Sequence, residues 1–366
     1  MTIKTRELPF KNTKGFLFFT DYHAHIFTDF ALPDEEFVTD RFHNQIKALE
    51  DMFTVCREKG YILLFGGDLF HKRGSIDIRV FNHVFKTFER NSDVPSILVR
   101  GNHDSVTNSL YTQSSLDCFS VLPNCIVVSQ PEVLLLDGDV TRAFTCLPYG
   151  DEVDEMHAFL KEAAKFVSSY DQAFLVAHIG VDGSQTGRYT HTLSGAFNTG
   201  ELRGDIYTYV LLGHYHKRQF LGDALETSNI LYGGNPIQQT FADEGQEKGY
   251  HLLDFSTGKL TFEPISQKLF LTINTKDLDD EDLLNNNYIR LVADATDIEA
   301  VEKLRDEHNM SNVRVTVNRV FEQKARLGVS ASDSPVEITK KYLESYDPSV
   351  IEKALGCISV ALNEEN

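Results

Sequence analysis

The sequence predicts an α/β layered domain, and three observations carry that prediction. Short apolar runs that read as buried strands recur along the chain: GFLFFT at 15–20, YILLF at 61–65, SILVR at 96–100, AFLVAH at 173–178 and TYVLLGH at 208–214. Amphipathic stretches lie between them. Phe42, Ile46, Leu49, Phe53 and Cys56 repeat with helical spacing, and Val153, Phe159, Leu160, Ala163, Phe166 and Val167 draw an apolar stripe through 151–168. Strands that alternate with helices in this way form layered sheets covered by helices. The 366 residues, 42% of them hydrophobic, are enough for two or three domains of ~100–200 residues.

Beyond this region the pattern changes to strand and turn. ILYGG, GYHLLDF and KLTFE, between 230 and 263, read as sheet material that closes the first domain. Residues 288–318 read as a small strand, helix, strand unit: YIRLVA, IEAVEKLRDEH at 298–308, then VRVTVN. Its acidic lead-in, KDLDDED at 276–282, reads as a solvated linker. After the polar stretch LGVSASDSP, two helical patterns at 336–345 and 348–361 end the sequence. The expected division is therefore residues 1–270, 271–322 and 323–366.

Composition excludes several classes. Thirty-five Lys and Arg against 54 Asp and Glu give a net charge of −19, which argues against a general polyanion-binding surface. A nucleic-acid substrate would need a local positive source, and bound metal ions are one. The five cysteines have no paired spacing, so neither a disulfide framework nor a thiolate zinc site is expected, and the thiols are read as reduced and buried. The N-terminal MTIKTRELPFKNTK has no apolar run of signal-peptide type, and no segment approaches the ~18 apolar residues that cross a bilayer. The expected location is cytoplasmic, without a membrane partner.

Ligand-type residues follow the strands in order. After GFLFFT come Asp21, His23 and His25; after YILLF and two glycines come Asp68 and His71; after SILVR comes Gly101-Asn102-His103-Asp104; then His178, and Gly213-His214-Tyr215-His216. Ligands of open α/β sheets bind at the carboxyl ends of the strands, so these groups are expected to converge. Each motif alone has a bland reading as a turn, an N-cap or a structural histidine. Five of them, each at the end of an apolar strand, point to one site. Carboxylate, carboxamide and imidazole without thiolate suit divalent first-row cations such as manganese, iron or zinc. His214 and His216 would alternate faces on a strand, so both can ligate only where the strand has ended and turned. Asp68, behind glycines that permit close approach, is the candidate to bridge two metals. His43, His83, His157, His251 and His308 lie away from these ends and are read as structural. His191, in the polar stretch GRYTHTLSG, could face substrate but is read as a loop residue.

Together, Asp21-x-His23, Gly67-Asp68 with His71, Gly101-Asn102-His103-Asp104, His178 and Gly213-His214-x-His216 resemble the calcineurin-like metallophosphoesterase superfamily. GGDLFHKR and ILYGGNPIQQTFADEGQEKGYHLLDF narrow the resemblance to the SbcD branch, the nuclease subunit of the SbcCD DNA-repair complex and its phage recombination-endonuclease relatives. The resemblance covers about residues 15–265. It implies a two-sheet sandwich flanked by helices, followed by a small α/β capping domain and C-terminal helices. It also implies two divalent ions, manganese in this family: one held by Asp21, His23 and His216, the other by Asn102, His178 and His214, with Asp68 bridging. His103 would protonate the departing 3′ oxygen, work typically worth about 10²–10⁴-fold. His71 would steer the phosphate, with Lys72, Arg73, Arg188, Lys217 and Arg218 as further basic candidates. The sequence departs from the family where Ala24 and His25 replace an apolar residue and glycine. His25 could contact a metal, a phosphate or neither.

The resemblance implies DNA as substrate, cleavage independent of sequence, a homodimer, and a coiled-coil ATPase of SbcC type bound by the C-terminal helices. Val336, Ile338, Tyr342, Leu343, Val350, Ile351, Leu355 and Ile358 suit a helix in a partner groove, or packing back on the chain itself. Two competing functions remain: a phosphatase or phosphodiesterase acting on a nucleotide or phosphoprotein, and a non-catalytic adaptor.

Overall fold

The computed structural model describes residues 2–185, 192–193, 196–222, 228–275, 280–294, 301, 311–318 and 333–364. Arg188, His191, His308 and nearly all of the helix expected at 298–308 lie outside the described residues. The chain forms two compact units, Met1–Val317 and Asn318–Asn366.

The first unit is built on two packed sheets. In chain order its principal elements are β1 (Thr5–Glu7), β2 (Gly15–Phe19), α1 (Asp40–Lys59), β3 (Tyr61–Phe65), α2 (Ile78–Arg90), β4 (Ser96–Val99), β5 (Cys125–Val128), β6 (Glu132–Leu136), β7 (Arg142–Leu147), α3 (Val153–Val167), β8 (Gln172–His178), β9 (Tyr209–Gly213), β10 (Gln219–Phe220), β11 (Ile230–Tyr232), β12 (Gly249–Asp254) and β13 (Leu260–Pro264). One sheet has the order β13-β12-β2-β3-β4-β5 and the other β1-β6-β7-β8-β9-β11-β10. This is the mixed α/β sandwich that the sequence predicts.

The strands read as unbroken apolar runs because both of their faces are covered. Along β2, Phe16 and Phe18 point into the seam between the sheets with Ile62, Leu64, Phe174 and Val176. Leu17 and Phe19 point the other way, onto Phe42, Ile46, Leu49 and Phe53 of α1. Helix α1 starts where the Thr39 hydroxyl accepts from the Phe42 N–H and stops at Gly60, whose φ of 69° closes the last turn. Helix α3 covers the other sheet with Phe159, Leu160, Ala163 and Val167. The parallel register of β2 on β3 and β3 on β4, and of β8 on β9, brings their carboxyl ends to one mouth of the sandwich.

Helix α2 and the strands β5, β6 and β7 were not singled out from sequence. Helix α2 is capped by the Asp77 side chain, and β6 and β7 form an antiparallel pair. Further along, β14 (Phe270–Asn274), β15 (Tyr288–Asp294) and β16 (Val313–Asn318) make a third, three-stranded sheet, with the short α4 (Glu281–Asn285) before β15. Helix α5 (Pro335–Tyr342) opens with a reciprocal cap between Ser334 and Glu337, and α6 (Pro348–Glu364) follows. Among the described residues, no helix is long and apolar enough to cross a membrane. All five cysteines are unbridged; Cys56, Cys125 and Cys146 are buried as expected, whereas Cys118 and Cys357 are exposed because each sits on the outer side of a helical turn.

Candidate metal centre

Five strands deliver their last residues to one place. The backbone turns there in an unusual way: Asp21, His23, Asp68 and His214 have φ of 53°, 50°, 65° and 106°. Non-glycine residues seldom adopt this region, and such strain persists where surrounding contacts enforce it. The contacts are present. Asp21 N–H donates to Gly67 O at 2.8 Å and His23 N–H to Asp68 O at 2.9 Å, so the two loops hold each other's backbones. The Asp104 carboxylate accepts from the N–H groups of Asp68 (2.8 Å), Leu69 (2.9 Å), Phe70 (3.3 Å) and Gly101 (3.0 Å), clamping the turn that presents Asp68. Gly101 is required at its position, since a Cβ there would stand 2.1 Å from Asp68 Oδ1.

The side chains then converge. His23 Nε2 lies 3.0 Å from His216 Nε2, and both fall with Asp21 in one group of donor atoms. Asn102 Oδ1 lies 3.0 Å from His178 Nε2 and 3.1 Å from His214 Nδ1. Asp68 stands between the two groups, with Oδ2 3.4 Å from His178 Nε2 and 3.7 Å from His23 Nε2. Lone-pair atoms about 3 Å apart are spaced like ligands bound at ~2.1 Å to a common cation. His214 follows the last residue of β9, so the strand has ended before the His-x-His pair begins, as the sequence requires.

Tautomers support the same use. His178 Nδ1 is 2.9 Å from Gly66 O, and the carbonyl can only accept, so the ring donates there and turns Nε2 toward Asn102 and Asp68. His103 is held likewise, its Nδ1 donating to His71 O. His23 Nδ1 and His71 Nδ1 are buried without a hydrogen-bond partner. The His71 ring lies 5.5 Å from His23 and stacks on His103 at 5.9 Å, and His23, His71 and His103 form a further group able to hold an ion.

The electrostatics call for positive charge. Asp21 and Asp68 are both buried, and among the described residues neither forms an ion pair with a lysine or arginine. Burial pushes Asp21 up. Burial also opposes the charge on Asp68, but His178 outweighs it and holds the carboxyl far below the usual range. The proton on His178 is kept correspondingly: burial lowers its affinity, Asp68 outweighs that, and the pKa is raised to about 9. Burial, with neighbouring cationic groups, lowers His23, and takes His214 and His71 to about 4. These rings are neutral at pH 7, the form that ligates metals. A carboxylate pair without a lysine or arginine, the neutral imidazoles of His23, His214 and His71, and a His178 proton that a cation at Nε2 would displace fit divalent cations.

A sequence profile of calcineurin-like phosphoesterases matches residues 15–218, more than half of the chain and all of the strand ends just described. The chain belongs to this family. Calcineurin-like phosphoesterases hydrolyse phosphoesters at a dimetal site, and the Asp, Asn and His donors present here suit one. A solved structure of a dimetal phosphatase from Danio rerio is also similar, at 10% identity over 66% of this chain and 92% of that one, with a TM-score of 0.41. At that distance its activity is not carried over.

In this member of the family, part of the support lies away from the strand ends. Lys248, 3% exposed, donates from Nζ to His216 O at 2.8 Å and to Gln246 Oε1 at 3.0 Å, contacts Asn235 Oδ1, and pairs with Asp243 Oδ1 at 2.9 Å. Asp243 Oδ2 accepts from Gln239 N–H at 2.9 Å, and Gln239 Nε2 donates to Asp21 O and Tyr22 O at 3.2 and 3.1 Å. One buried ion pair thus supports both the Asp21-x-His23 loop and the His216 turn. Its sequence signal was the motif from 230 to 255, in which polar residues interrupt sheet material.

The remaining candidates are dispersed. Lys72 and Arg73 are exposed beside His71, with Arg73 Nε donating to Ser105 O at 2.9 Å. Lys217 turns to Gln185, and Arg218 lies over the Phe262 ring at 3.8 Å. Among the histidines read as structural, His43 pairs with Asp34, His83 packs on Phe37, His157 packs on Phe197 and His251 is buried. His25 sits at the rim, half-buried, 5.2 Å from the His71 ring.

Proposed function

We propose that this chain is a metal-dependent DNA nuclease of the SbcD type. The observation that carries it is the pairing of two imidazoles, His71 and His103, beside a donor set able to hold two cations, with Lys72 and Arg73 exposed on the same loop. Asp21, His23 and His216 would hold one ion, Asn102, His178 and His214 the other, and Asp68 would contact both. When bound, two divalent ions supply charge that draws a phosphodiester in and lowers the pKa of water. His103, fixed through Nδ1 with its ring 4.7 Å from that of His23, would give the Nε2 proton to the departing 3′ oxygen as the P–O bond breaks. His71 would orient a non-bridging phosphate oxygen. Phosphate contacts of this kind carry no sequence information.

The reading extends to manganese as the working ion, a homodimer, the third sheet as a cap over the substrate, and an SbcC-type ATPase bound by α5 and α6. A phosphatase acting on small esters or phosphoproteins is the competing reading, because the same donor set serves the whole family. Digestion of linear and hairpin duplex DNA with Mn²⁺, beside p-nitrophenyl phosphate and a phosphopeptide, separates the two. The nuclease reading expects DNA cleaved at many unrelated sequences and lost on chelation. Turnover of the small esters alone would overturn it.

A further inference from the structure

We infer that His25 and Phe27 form a nucleobase-stacking subsite beside the candidate metal centre, a reading that rests on the nuclease assignment above. The two rings meet edge to face at 5.0 Å, and each lies against His71, at 5.2 Å for His25 and 5.0 Å for Phe27. His71 in turn is one ring away from His23 and His103. An aromatic surface therefore runs without a break from the donor atoms outward to the rim.

The surface is held in place. Phe27 N–H donates to His25 O at 3.1 Å, and His25 N–H to Gln45 Oε1 at 3.1 Å. Gln45 is buried and donates back to His23 O, so the rim loop and the metal-facing loop share one clamp. Behind Phe27 the buried Arg41 guanidinium lies 4.5 Å from the ring centroid and is fixed by donating to Asp29 O at 2.8 Å and to Gln239 O. Both His25 and Phe27 remain partly exposed. A fixed, partly exposed ring beside a phosphate-attracting centre suits the flat face of a base.

The ligand is the base of the nucleotide next to the scissile phosphate. Stacking tolerates every base because each has a π-face, so the subsite favours base-bearing strands without reading sequence.

The test compares two oligonucleotides on the full-length protein with Mn²⁺: a thymidine strand and the same backbone with tetrahydrofuran abasic units. The wild type is expected to show a kcat/KM about tenfold higher on the base-bearing strand. Phe27→Ala should bring that ratio close to one, Phe27→Trp should keep it, and His25→Ala should lower it. The ratio is taken within each variant, so a partly unfolded fraction cancels. Equal rates on the two strands for the wild type, or an unchanged ratio in both Phe27→Ala and His25→Ala, overturns the subsite while leaving the nuclease. A wild type that cuts neither strand overturns the subsite, and the nuclease reading then stands or falls on the duplex digestion alone.

Discussion

The strand-end loops and the C-terminal helices handle their functional side chains in opposite ways. At the mouth of the sandwich, four polar residues adopt left-handed backbone and every loop is tied to another by buried hydrogen bonds. In α5 and α6 the backbone is regular and capped, and it is the side chains that are unusual: Tyr342 is 61% and Val350 44% exposed. The first region holds polar groups against local preference so that they converge. The second leaves apolar groups in water. Strain and exposed apolar surface are both unfavourable in isolation, and the proposed function gives each a reason: cations at the mouth and a partner on the helices.

The comparison is broken most directly at Asp68. If the strained loops exist to gather donors around cations, Asp68→Asn removes the charge that both donor groups share. Hydrolysis should fall by about 10⁴-fold, and elemental analysis should show metal content reduced. The metal-free protein should also unfold more readily, because the buried His178 loses the carboxylate that holds its proton, so activity and metal content are compared on the folded protein. Substantial activity in this variant would mean that the convergence is architectural.

Lys248 tests what enforces the strain. Lys248→Met leaves the Asp243 carboxylate buried without its partner, and one-sided breaks of buried pairs cost about 3–5 kcal/mol. Urea unfolding measures the loss. Removing the charge on both sides in Lys248→Met/Asp243→Asn should recover a good part of it. Because Nζ also holds His216 O, metal affinity should drop by roughly 10–100-fold in the single variant, as for other residues that orient ligands. A stable Lys248→Met with normal metal affinity would detach this ion pair from the site.

These two residues mark the limit of what the sequence disclosed. Asp68 was legible because an apolar run and two glycines put it at a strand end, and four other ligand-type motifs stood in equivalent places. Lys248 and Asp243 were not, although their motif was noticed. A buried lysine has the same letter as a solvated one, and only the fold shows that Nζ reaches four oxygens. Asp104 was quoted for its motif, but its work is to accept backbone N–H groups, which leave no trace in composition. The runs CIVV, EVLLL and RAFTCL were equally apolar, yet β5, β6 and β7 were passed over because they end in no ligand. His25 was flagged by its departure from the family, and Phe27 was not, because a lone aromatic on a loop has no period.

The seam between the sheets offers a smaller test. His251 bonds the Gly233 carbonyl across it, and its Nε2 is buried without a partner. Burial first, and Arg218 second, lower its pKa to about 3. The unfolded chain takes up this proton near pH 6.5 and the folded one only near 3, so its contribution is complete above pH 6.5 and declines as pH falls through that window. Between pH 7 and pH 5 the loss is about 2 kcal/mol. His251→Phe should flatten the pH dependence of the urea midpoint by that amount relative to wild type. An unchanged slope would assign acid lability to the strand-end loops alone.

The smallest effect on stability is expected in the C-terminal helices, where it sharpens the contrast most. Val350→Lys places a charge at a position that already faces water, in a helix whose propensity favours lysine over valine. Unfolding should shift by no more than about 0.5 kcal/mol, in contrast to Lys248→Met. Cleavage of DNA by the protein alone should be unaltered, because Val350 has no part in the donor set. Binding to a purified SbcC-type ATPase, followed by titration calorimetry, should weaken by tenfold or more if Val350 sits at the centre of that contact, since a lone charge in an apolar groove goes unpaired. A clear loss of stability together with intact ATPase binding would mean that the helix covers its own chain, and its apolar side chains would then belong with the core instead of with a partner.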